Sequence, residues 1–261
     1  VPYVIWMAIF VVAPLILVVI YAFTAKDGGF TLANFAQMGE YSSIFIRSFV
    51  LALFATVICL FLGYPLAYIL SKQDERRQPF WVMMIMLPMW MNFLLRTYAW
   101  MSLLENNGLI NRFLSLLGLP TLSLINTQGA VVLGMVYNFL PFMVLPIYNV
   151  LIKLDGSLLE AARDLGANSA TVFRKVVFPL SMPGIVSGIT MVFVPALTTF
   201  VISKILGGSK ILLIGNVIEQ EFTQTGNWNL GSGLSIVLML FIIFNMVISV
   251  ITDKEGEANT L

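Results

Sequence analysis

Long apolar runs alternate with short polar segments along the chain, and this alternation predicts a bundle of membrane-spanning helices. A helix that crosses a lipid bilayer needs about 20 mostly apolar residues. Six runs meet that length, and they cover roughly Val1–Thr24, Ser43–Leu70, Pro79–Trp100, Ala130–Leu151, Met182–Ile202 and Leu230–Ile251. The sequence therefore predicts an all-α integral membrane protein with six transmembrane helices.

The polar segments outside the spans are short, and none has the composition of a domain linker. Leu109–Leu117 follows the turn at Glu105–Gly108 and is too short and too polar to cross, so we expect an interfacial amphipathic helix. Lys72–Arg77 is a charged turn, and the polar tail Asp253–Leu261 is expected to be disordered. Residues 1–252 then form one transmembrane domain.

Leu154–Leu180 is the one long polar interruption in the apolar second half, and its pattern predicts two short helices. Ser157 and Glu160 are spaced as in a capping box, in which each side chain satisfies a free backbone N–H at the helix start. Gly166 provides a stop, because a residue without Cβ adopts the left-handed conformation cheaply. An apolar stripe at helical spacing lies between these signals, formed by Leu158, Leu159, Ala162 and Leu165.

The second short helix begins and ends on similar signals. Asn168 or Ser169 can cap its start, and Pro179 opens the next apolar span. The residue pattern alone leaves two interpretations of the pair open. It is either an amphipathic loop on the membrane surface or a docking element for a soluble partner.

Composition agrees with a membrane protein and excludes several kinds of chemistry. Hydrophobic residues make up 59% of the chain and charged residues 10%, against about a quarter charged in soluble domains, and the mean hydropathy is +0.94. A net charge of +1 argues against a nucleic-acid partner. The sequence has no histidine and a single cysteine, Cys59, which excludes the usual zinc sites, a disulfide and histidine-based catalysis. We expect Cys59 to be a small buried apolar residue.

The source of energy for any transport is expected to lie outside this chain. Gly207–Lys210 lacks the glycine and lysine spacing of a phosphate-binding loop. The centres of the spans carry no acidic residue for a proton relay, and we expect Arg47 and Arg96 to snorkel at outer span ends. Proline or glycine interrupts nearly every span, which suits a pathway that opens and closes, although prolines are common in membrane helices.

The distribution of basic residues predicts the orientation. Six spans place both chain ends on one side, together with the Lys72–Arg77 turn and the Leu154–Leu180 segment. That side carries eight of the fourteen basic residues, in the shorter loops: Lys72, Arg76, Arg77, Lys153, Arg163, Arg174, Lys175 and Lys254. The positive-inside rule therefore predicts N-in and C-in, with Leu154–Leu180 facing the cytosol.

A longer motif lies in the same polar segment. Glu160-Ala161-Ala162 is followed after three residues by Gly166, and after nine more by Val176, Phe178 and Pro179. This resembles the E-A-A, G and I-x-L-P signature of permease subunits of binding-protein-dependent ABC importers, with Val for Ile and Phe for Leu as departures. Further segments along essentially the whole chain are similar to permeases of spermidine/putrescine importers, namely Leu140–Val144, Leu159–Ala167, Pro179–Ile185 and Leu212–Ile218.

The resemblance implies a type I ABC importer permease fold with a cytoplasmic coupling helix, in a bacterial plasma membrane. It also implies a second homologous permease subunit, two ATP-binding subunits that hold ATP and Mg²⁺, and an extracytoplasmic polyamine-binding protein. This chain would then hold no cofactor and perform no catalysis. The residues implied at the ATPase-coupling surface are Glu160, Ala161, Ala162, Asp164, Gly166 and Pro179.

A polyamine is a flexible polycation, so its path should offer carboxylates and aromatic faces. The acidic candidates on the outer side are Glu105, Glu219 and Glu221, and the aromatic candidates are Trp90, Tyr98, Trp100, Tyr137 and Trp228. Each can equally be a solvated loop charge or an interfacial belt residue, and Lys204 and Lys210 count against a purely anionic entrance.

Other functions remain open at this point. The chain could be the permease of an importer for another small solute, such as an amino acid, sulfate or ferric iron. It could also be an ion-coupled secondary carrier that works alone, since sodium-coupled carriers use backbone carbonyls. A membrane anchor without a pathway is a weaker alternative, because it leaves the frequent helix breaks unexplained.

Overall fold

A computed structural model describes residues 2–25 and 27–258, with the side chains of all of these except 38, 209 and 248–258. Within these ranges the chain is helical, and its one β-type pairing is an isolated bridge between Thr24 and Phe30. The helices are α1 Pro2–Ala22, α2 Met38–Ser71, α3 Gln78–Trp90, α4 Phe93–Leu104, α5 Leu109–Leu116, α6 Gln128–Leu151, α7 Gly156–Asp164, α8 Ser169–Leu180, α9 Met182–Thr198, α10 Val201–Leu206, α11 Ile214–Thr223 and α12 Trp228–Ala258. One-turn helices lie at Ala33–Ala36 and Gly208–Lys210.

The membrane-spanning elements are four single helices and two bent pairs. By length and apolarity the single ones lie at Pro2–Ala22, Gly39–Ser71, Gln128–Leu151 and Trp228–Val247. The residues from Gln78 to Leu116 form one pair bent by 85°, and α8 with α9 forms another bent by 59°. When each pair counts as one span, the described residues contain the six spans that the apolar runs predict. The short helix predicted at Leu109–Leu117 is present as α5.

The third predicted span is not one continuous helix. Pro88 lacks an N–H for the helical ladder, and α3 ends two residues later. Asn92 then caps α4, because its side-chain oxygen accepts the N–H groups of Leu94 at 2.9 Å and Leu95 at 3.3 Å. The proline and the cap together place α4 at a steep angle to α3.

A second break separates α9 from α10. Thr199 is extended, so the backbone groups around it lose their helical partners. Asn216 on α11 replaces them: its amide donates to the Phe200 carbonyl at 2.9 Å, and its oxygen accepts the hydroxyl of Ser203. The irregular backbone is thus satisfied inside the protein, as a membrane environment requires.

The core of the molecule forms where α2, α6 and α9 pack together. Thirteen of the 24 residues of α6 are buried, and Met143 at its centre is fully enclosed. Gly63 of α2 and Gly188 of α9 face Met143 from two sides, and a Cβ added at either would come within 3 Å of the Met143 side chain. Small residues therefore let three helix backbones approach closely, as is common in membrane helix packing.

The first span lies at the edge of the bundle, along α12. Its C-terminal end is held by hydrogen bonds from two asparagine side chains. Asn229 donates to the carbonyl of Thr24 at 2.6 Å, and Asn34 donates to that of Ala22 at 2.8 Å. Helix α12 at the other end of the chain continues to Ala258, into the segment predicted to be disordered. Helix-favouring Lys, Glu and Ala residues account for this extension, and residues 259–261 lie outside the described residues.

Candidate coupling surface and outer pathway residues

Helix α7 carries the E-A-A sequence, and its start differs from the prediction. Asp155 is the N-cap: its carboxylate accepts the backbone N–H of Ser157 at 2.9 Å. Ser157 is already inside the helix, so the predicted Ser157–Glu160 capping box is wrong. The hydrogen bond from the Ser157 backbone holds the pKa of Asp155 below its ordinary value. An acidic cap also interacts favourably with the helix dipole.

The residues of α7 divide into an inner and an outer face. Leu159 and Ala162 pack against the core, whereas Glu160, Ala161 and Asp164 are exposed. None of the residues of α7 is buried. Leu158 and the C-cap residue Leu165 are 49% and 89% exposed, although they belong to the predicted apolar stripe.

The end of α7 confirms the predicted glycine stop. Gly166 has φ of +83°, and the N–H groups of Gly166 and Ala167 donate to the carbonyls of Arg163 and Ala162 at 2.8 and 3.1 Å. This is the Schellman arrangement, which turns the chain sharply. Asn168 then caps α8 by accepting the Thr171 N–H at 2.8 Å, as one of the two predicted alternatives requires. Pro179 is exposed in the last turn of α8.

Helices α7 and α8 lie at the same end of the molecule as the turn between α2 and α3. A cavity of about 330 Å³ separates them, and its lining includes Lys72, Glu75, Gly156 and Leu159. The basic turn and the E-A-A helix therefore share one face, as the orientation prediction assumes.

Three outer pathway candidates lie together at the other end. Glu219 on α11 pairs with Lys204 on α10, with 3.3 Å between its carboxylate oxygen and the ammonium. Glu221 accepts the hydroxyl of Thr225 at 2.7 Å. Trp228 is half exposed, and its ring packs against Phe222. The second carboxylate oxygen of Glu219 is enclosed and makes no hydrogen bond with the described residues.

A separate aromatic group surrounds a buried arginine. The rings of Trp100 and Tyr137 meet edge to face at 5.3 Å, and the guanidinium of Arg96 lies 5.8 Å from the Tyr137 centroid. Arg96 is only 7% exposed and donates to the Pro88 carbonyl at 2.7 Å. The prediction that Arg96 snorkels at the membrane surface is therefore wrong. The helix break turns it inward, to the Pro88 carbonyl, which also accepts the backbone N–H of Met91 at 3.3 Å.

The remaining candidates stand apart. Trp90, at the end of α3, is 74% exposed, and Tyr98 is half exposed on α4. Glu105 is exposed at the end of α4. No hydrogen bond, ion pair or ring contact between described side chains joins Trp90 or Glu105 to the Glu219 or Tyr137 groups.

Sequence reasoning missed Asp155 and the Lys204–Glu219 pair as functional neighbours. An acidic residue two positions before Ser157 is a local signal that could have revealed the cap. No comparable signal exists for Lys204 and Glu219, because they lie on different helices whose approach depends on the α9–α10 break.

A bundle of bent spans, with an exposed E-A-A helix at one end, defines the membrane component of a transport system. The chain belongs to the family described as binding-protein-dependent transport system inner membrane component, whose model matches residues 61–254.

Similar proteins narrow this class. The chain is 40% identical over 252 residues to the spermidine/putrescine transport system permease protein PotB of Haemophilus influenzae, covering 92% of this chain and 88% of that protein. It is 38% identical to the Escherichia coli protein of the same name, with 90% and 89% covered. It is also 32% identical to the E. coli inner membrane ABC transporter permease protein YdcU, with 81% and 72% covered.

Solved structures show the same fold at low sequence identity. A chain of a bacterial ABC transporter for import of the acidic polysaccharide alginate matches with a TM-score of 0.74 and 17% identity, covering 95% of this chain and 92% of that chain. A chain of the MetNI methionine ABC transporter matches with a TM-score of 0.63 and 15% identity, covering 85% and 98%. The fold is therefore that of a type I ABC importer permease.

Proposed function

We propose that this chain is the transmembrane permease subunit of an ATP-driven importer for polyamines, spermidine and putrescine among them. The observation that carries the proposal is the identity of 38–40% to permeases named for those two solutes, over 90–92% of the chain. The chain forms half of the translocation pathway. A second homologous permease forms the other half, and an extracytoplasmic binding protein delivers the polyamine.

Energy enters through α7. Two separate ATPase subunits bind ATP and Mg²⁺, and each binds the coupling helix of one permease, which in this chain is α7. The docking surface is apolar at its centre, where it is formed by Ala161 and the exposed Leu165. Two carboxylates flank it, those of Glu160 and Asp164. The Schellman turn at Gly166 holds this docking surface of α7 at a defined angle to α8. Both chain ends, the Lys72–Arg77 turn and α7 then face the cytosol.

The Glu219–Lys204 pair offers an entrance for a polycation. Lys204 already presents an ammonium to the Glu219 carboxylate, which is the contact that a polyamine ammonium would make. Glu221 and the face of Trp228 stand close by for further amine and methylene groups. Trp100 and Tyr137 are less suited as aromatic walls, because the fixed charge of Arg96 lies beside Tyr137 and repels a second cation.

Reconstitution in liposomes tests the proposal. The chain is co-expressed with a homologous permease, ATPase subunits and a polyamine-binding protein, and uptake of labelled spermidine and putrescine is measured with ATP inside the vesicles. We expect ATP-dependent uptake that unlabelled polyamines compete away and that amino acids, sulfate and ferric iron do not. Uptake of an amino acid, sulfate or ferric iron instead would show that the importer has a different substrate. Uptake by this chain alone, driven by an ion gradient without ATP, would refute the ABC mechanism.

A further inference from the structure

Helix α7 packs poorly against the end of α2 and more closely against α8. Its direct approach to the end of α2 is interrupted by the cavity of about 330 Å³, lined by Tyr68, Lys72 and Leu159. Its closest backbone neighbours are on α8. Because an empty space transmits little displacement while packed side chains transmit strain, α8 is the main packed route by which motion of α7 reaches the spans.

Helix α8 is anchored to the middle of the bundle by an aromatic cluster, which consists of Tyr64, Tyr68, Phe173 and Phe178. The ring of Phe173 meets Tyr64 at 5.8 Å and Tyr68 at 5.5 Å, both edge to face. Phe178 lies 5.8 Å from Tyr64. Edge-to-face pairs have a preferred geometry and add to the energy of burial, so the cluster fixes α8 on α2 in one arrangement.

A buried hydrogen bond joins the same tyrosine to the α8–α9 bend. The hydroxyl oxygens of Tyr64 and Ser181 are 3.0 Å apart, and Ser181 is fully enclosed. Ser181 donates its single hydroxyl hydrogen to the Phe178 carbonyl at 2.8 Å. Tyr64 must therefore be the donor toward Ser181. A single side chain of α2 thus holds both the rings of α8 and the residue at which α8 turns into α9.

Both helices have weak points at this contact. Residues Phe173–Val177 form a π-helical turn, a feature that is frequent at functional sites. On α2, Pro65 follows Tyr64 and removes one backbone hydrogen bond from the helix interior. Each helix can therefore bend next to the place where the two are tied together.

We infer that Tyr64 and Ser181 are positioning residues that carry the displacement of α7, through α8, to the spans α2 and α9. The inference rests on the proposed function, since it assumes an ATPase that moves α7. When α8 shifts, the Tyr64 hydroxyl draws α2 with it and the Ser181 bend changes the angle of α9. Without the hydrogen bond, ATP hydrolysis continues while less of its motion reaches the pathway.

A double-mutant cycle tests this inference in the complete importer, because spatial continuity alone does not establish energetic coupling. Tyr64→Phe keeps the ring contacts and removes only the donor, and Ser181→Ala removes the acceptor. We expect each single variant to lower the number of polyamine molecules imported per ATP by roughly fivefold, the factor that matches one ordinary hydrogen bond. The double variant should be no worse than Ser181→Ala alone, since Ser181→Ala already removes the bond to Tyr64 together with the bond to the Phe178 carbonyl.

Tyr68→Phe is the matched control. Tyr68 packs its ring on Phe173, but its hydroxyl makes no hydrogen bond with the described residues, so import per ATP should stay at the wild-type value. A fall in uptake and ATPase rate by the same factor in Tyr64→Phe, with their ratio unchanged, would show a purely structural role and overturn the inference. Wild-type ratios in Tyr64→Phe and Ser181→Ala would overturn it as well.

A second measurement does not depend on the transported solute. Cys59 is fully buried on α2, five residues before Tyr64, and is the one cysteine of the sequence. With cysteine-free partner subunits, we expect ATP and vanadate to change the rate at which Cys59 reacts with a maleimide in the wild type, and to change it less in Tyr64→Phe. If the complex assembles but imports no polyamine, the substrate proposal fails while this rate still decides the inference. Equal rate changes in both proteins would reject it.

Discussion

Substitutions of Glu219 and of Lys204 are expected to have opposite effects on the KM of the importer for spermidine. Glu219→Gln removes a carboxylate from the entrance, so we expect the KM for spermidine to rise several-fold with little change in basal ATPase rate. Lys204→Met removes the competing ammonium, which should leave the KM unchanged or lower it. Initial uptake rates over a range of spermidine concentrations measure both, and the salt dependence should weaken in Glu219→Gln.

The exposed Thr223, whose hydroxyl also contacts Glu219, provides a neutral control. Its oxygen lies 3.4 Å from the carboxylate and contributes no charge. Thr223→Val should leave the KM within about twofold of the wild type. A lower KM in Glu219→Gln would contradict the proposed entrance.

Gly166 makes a prediction about backbone conformation. A Cβ added at Gly166 would meet nothing within 4 Å. In the isolated chain, glycine is therefore needed here only because its φ is positive. Gly166→Val forces a β-branched residue into the left-handed region, whereas Gly166→Asn is tolerated there. We expect the valine variant to lose most ATP-dependent uptake and ATPase co-purification, and the asparagine variant to keep most of both. Equal losses in the two would instead assign Gly166 to a steric contact with the ATPase.

The same residue scale explains Arg96. Its guanidinium is buried, its Nε finds no partner among the described residues, and its one hydrogen bond goes to a carbonyl at a helix break. A buried cation in a membrane protein is costly and marks a constrained position. The hydrogen bond of Arg96 therefore joins α4 to the end of α3 across the bend, and its guanidinium places a fixed positive charge close to Tyr137.

At the scale of elements, the start of α7 depends on Asp155. We expect Asp155→Ala to increase amide exchange at the first turn of α7 several-fold, and Asp155→Asn to remain close to the wild type because asparagine also caps. Ser157→Ala keeps the backbone N–H that the Asp155 carboxylate accepts and loses the hydroxyl, which also lowers the pKa of that carboxylate, so its effect should be smaller than that of Asp155→Ala. Hydrogen exchange of the detergent-purified protein measures all three.

The lowered pKa of Asp155 fixes the direction of the pH dependence. Because the pKa is lower in the folded protein than in the unfolded chain, the cap stabilises α7 above the ordinary aspartate pKa. That stabilisation is lost as the pH falls through the folded pKa. Protection of the first turn relative to Asp155→Asn should therefore decline on acidification; a rise would contradict the cap.

The contact between α6 and α9 depends on Gly184. A Cβ there would lie 2.9 Å from the Pro146 carbonyl oxygen and 3.0 Å from Cα of Ile147, both backbone atoms that cannot rotate away. We expect Gly184→Ala to destabilise the protein by about 1–3 kcal/mol through overpacking. Gly39→Ala is the matched control, because open space surrounds Gly39 in α2 and alanine favours a helix. Thermal unfolding in detergent measures both, and a Tm for Gly184→Ala at or above that of Gly39→Ala would contradict the packing.

At the scale of the whole molecule, the orientation across the membrane can be measured directly. In a Cys59→Ala background, Glu75→Cys lies in the turn between α2 and α3, and Gln224→Cys lies between α11 and α12; both positions are exposed. We expect an impermeant maleimide to label Gln224→Cys in intact cells, and Glu75→Cys only after permeabilisation. The opposite pattern would place α7 outside and refute ATPase docking there.

Local signals account for much of what could be predicted from the sequence. The number and position of the spans follow from apolar length, because the thickness of the bilayer requires about 20 residues per crossing. The stop at Gly166 and the cap at Asn168 follow from conformational preferences of single residues, confirmed by φ of +83° and by the bond to Thr171. The same signals erred where two residues compete, as Asp155 and Ser157 do for the start of α7.

The sequence by itself thus determined that the chain is a membrane protein, where its spans lie and where the E-A-A helix lies, since each depends on hydropathy or backbone preference over a few neighbouring residues. The class of importer permease followed from the resemblance of the E-A-A motif and other segments to that family. Only the tertiary structure decided that the third span bends, that Arg96 turns inward and that Lys204 meets Glu219. Only the structure joins Tyr64 to Ser181, which lie 117 residues apart. Such contacts depend on how close two helix backbones approach, and that distance is set by the packing of the entire bundle rather than by local sequence.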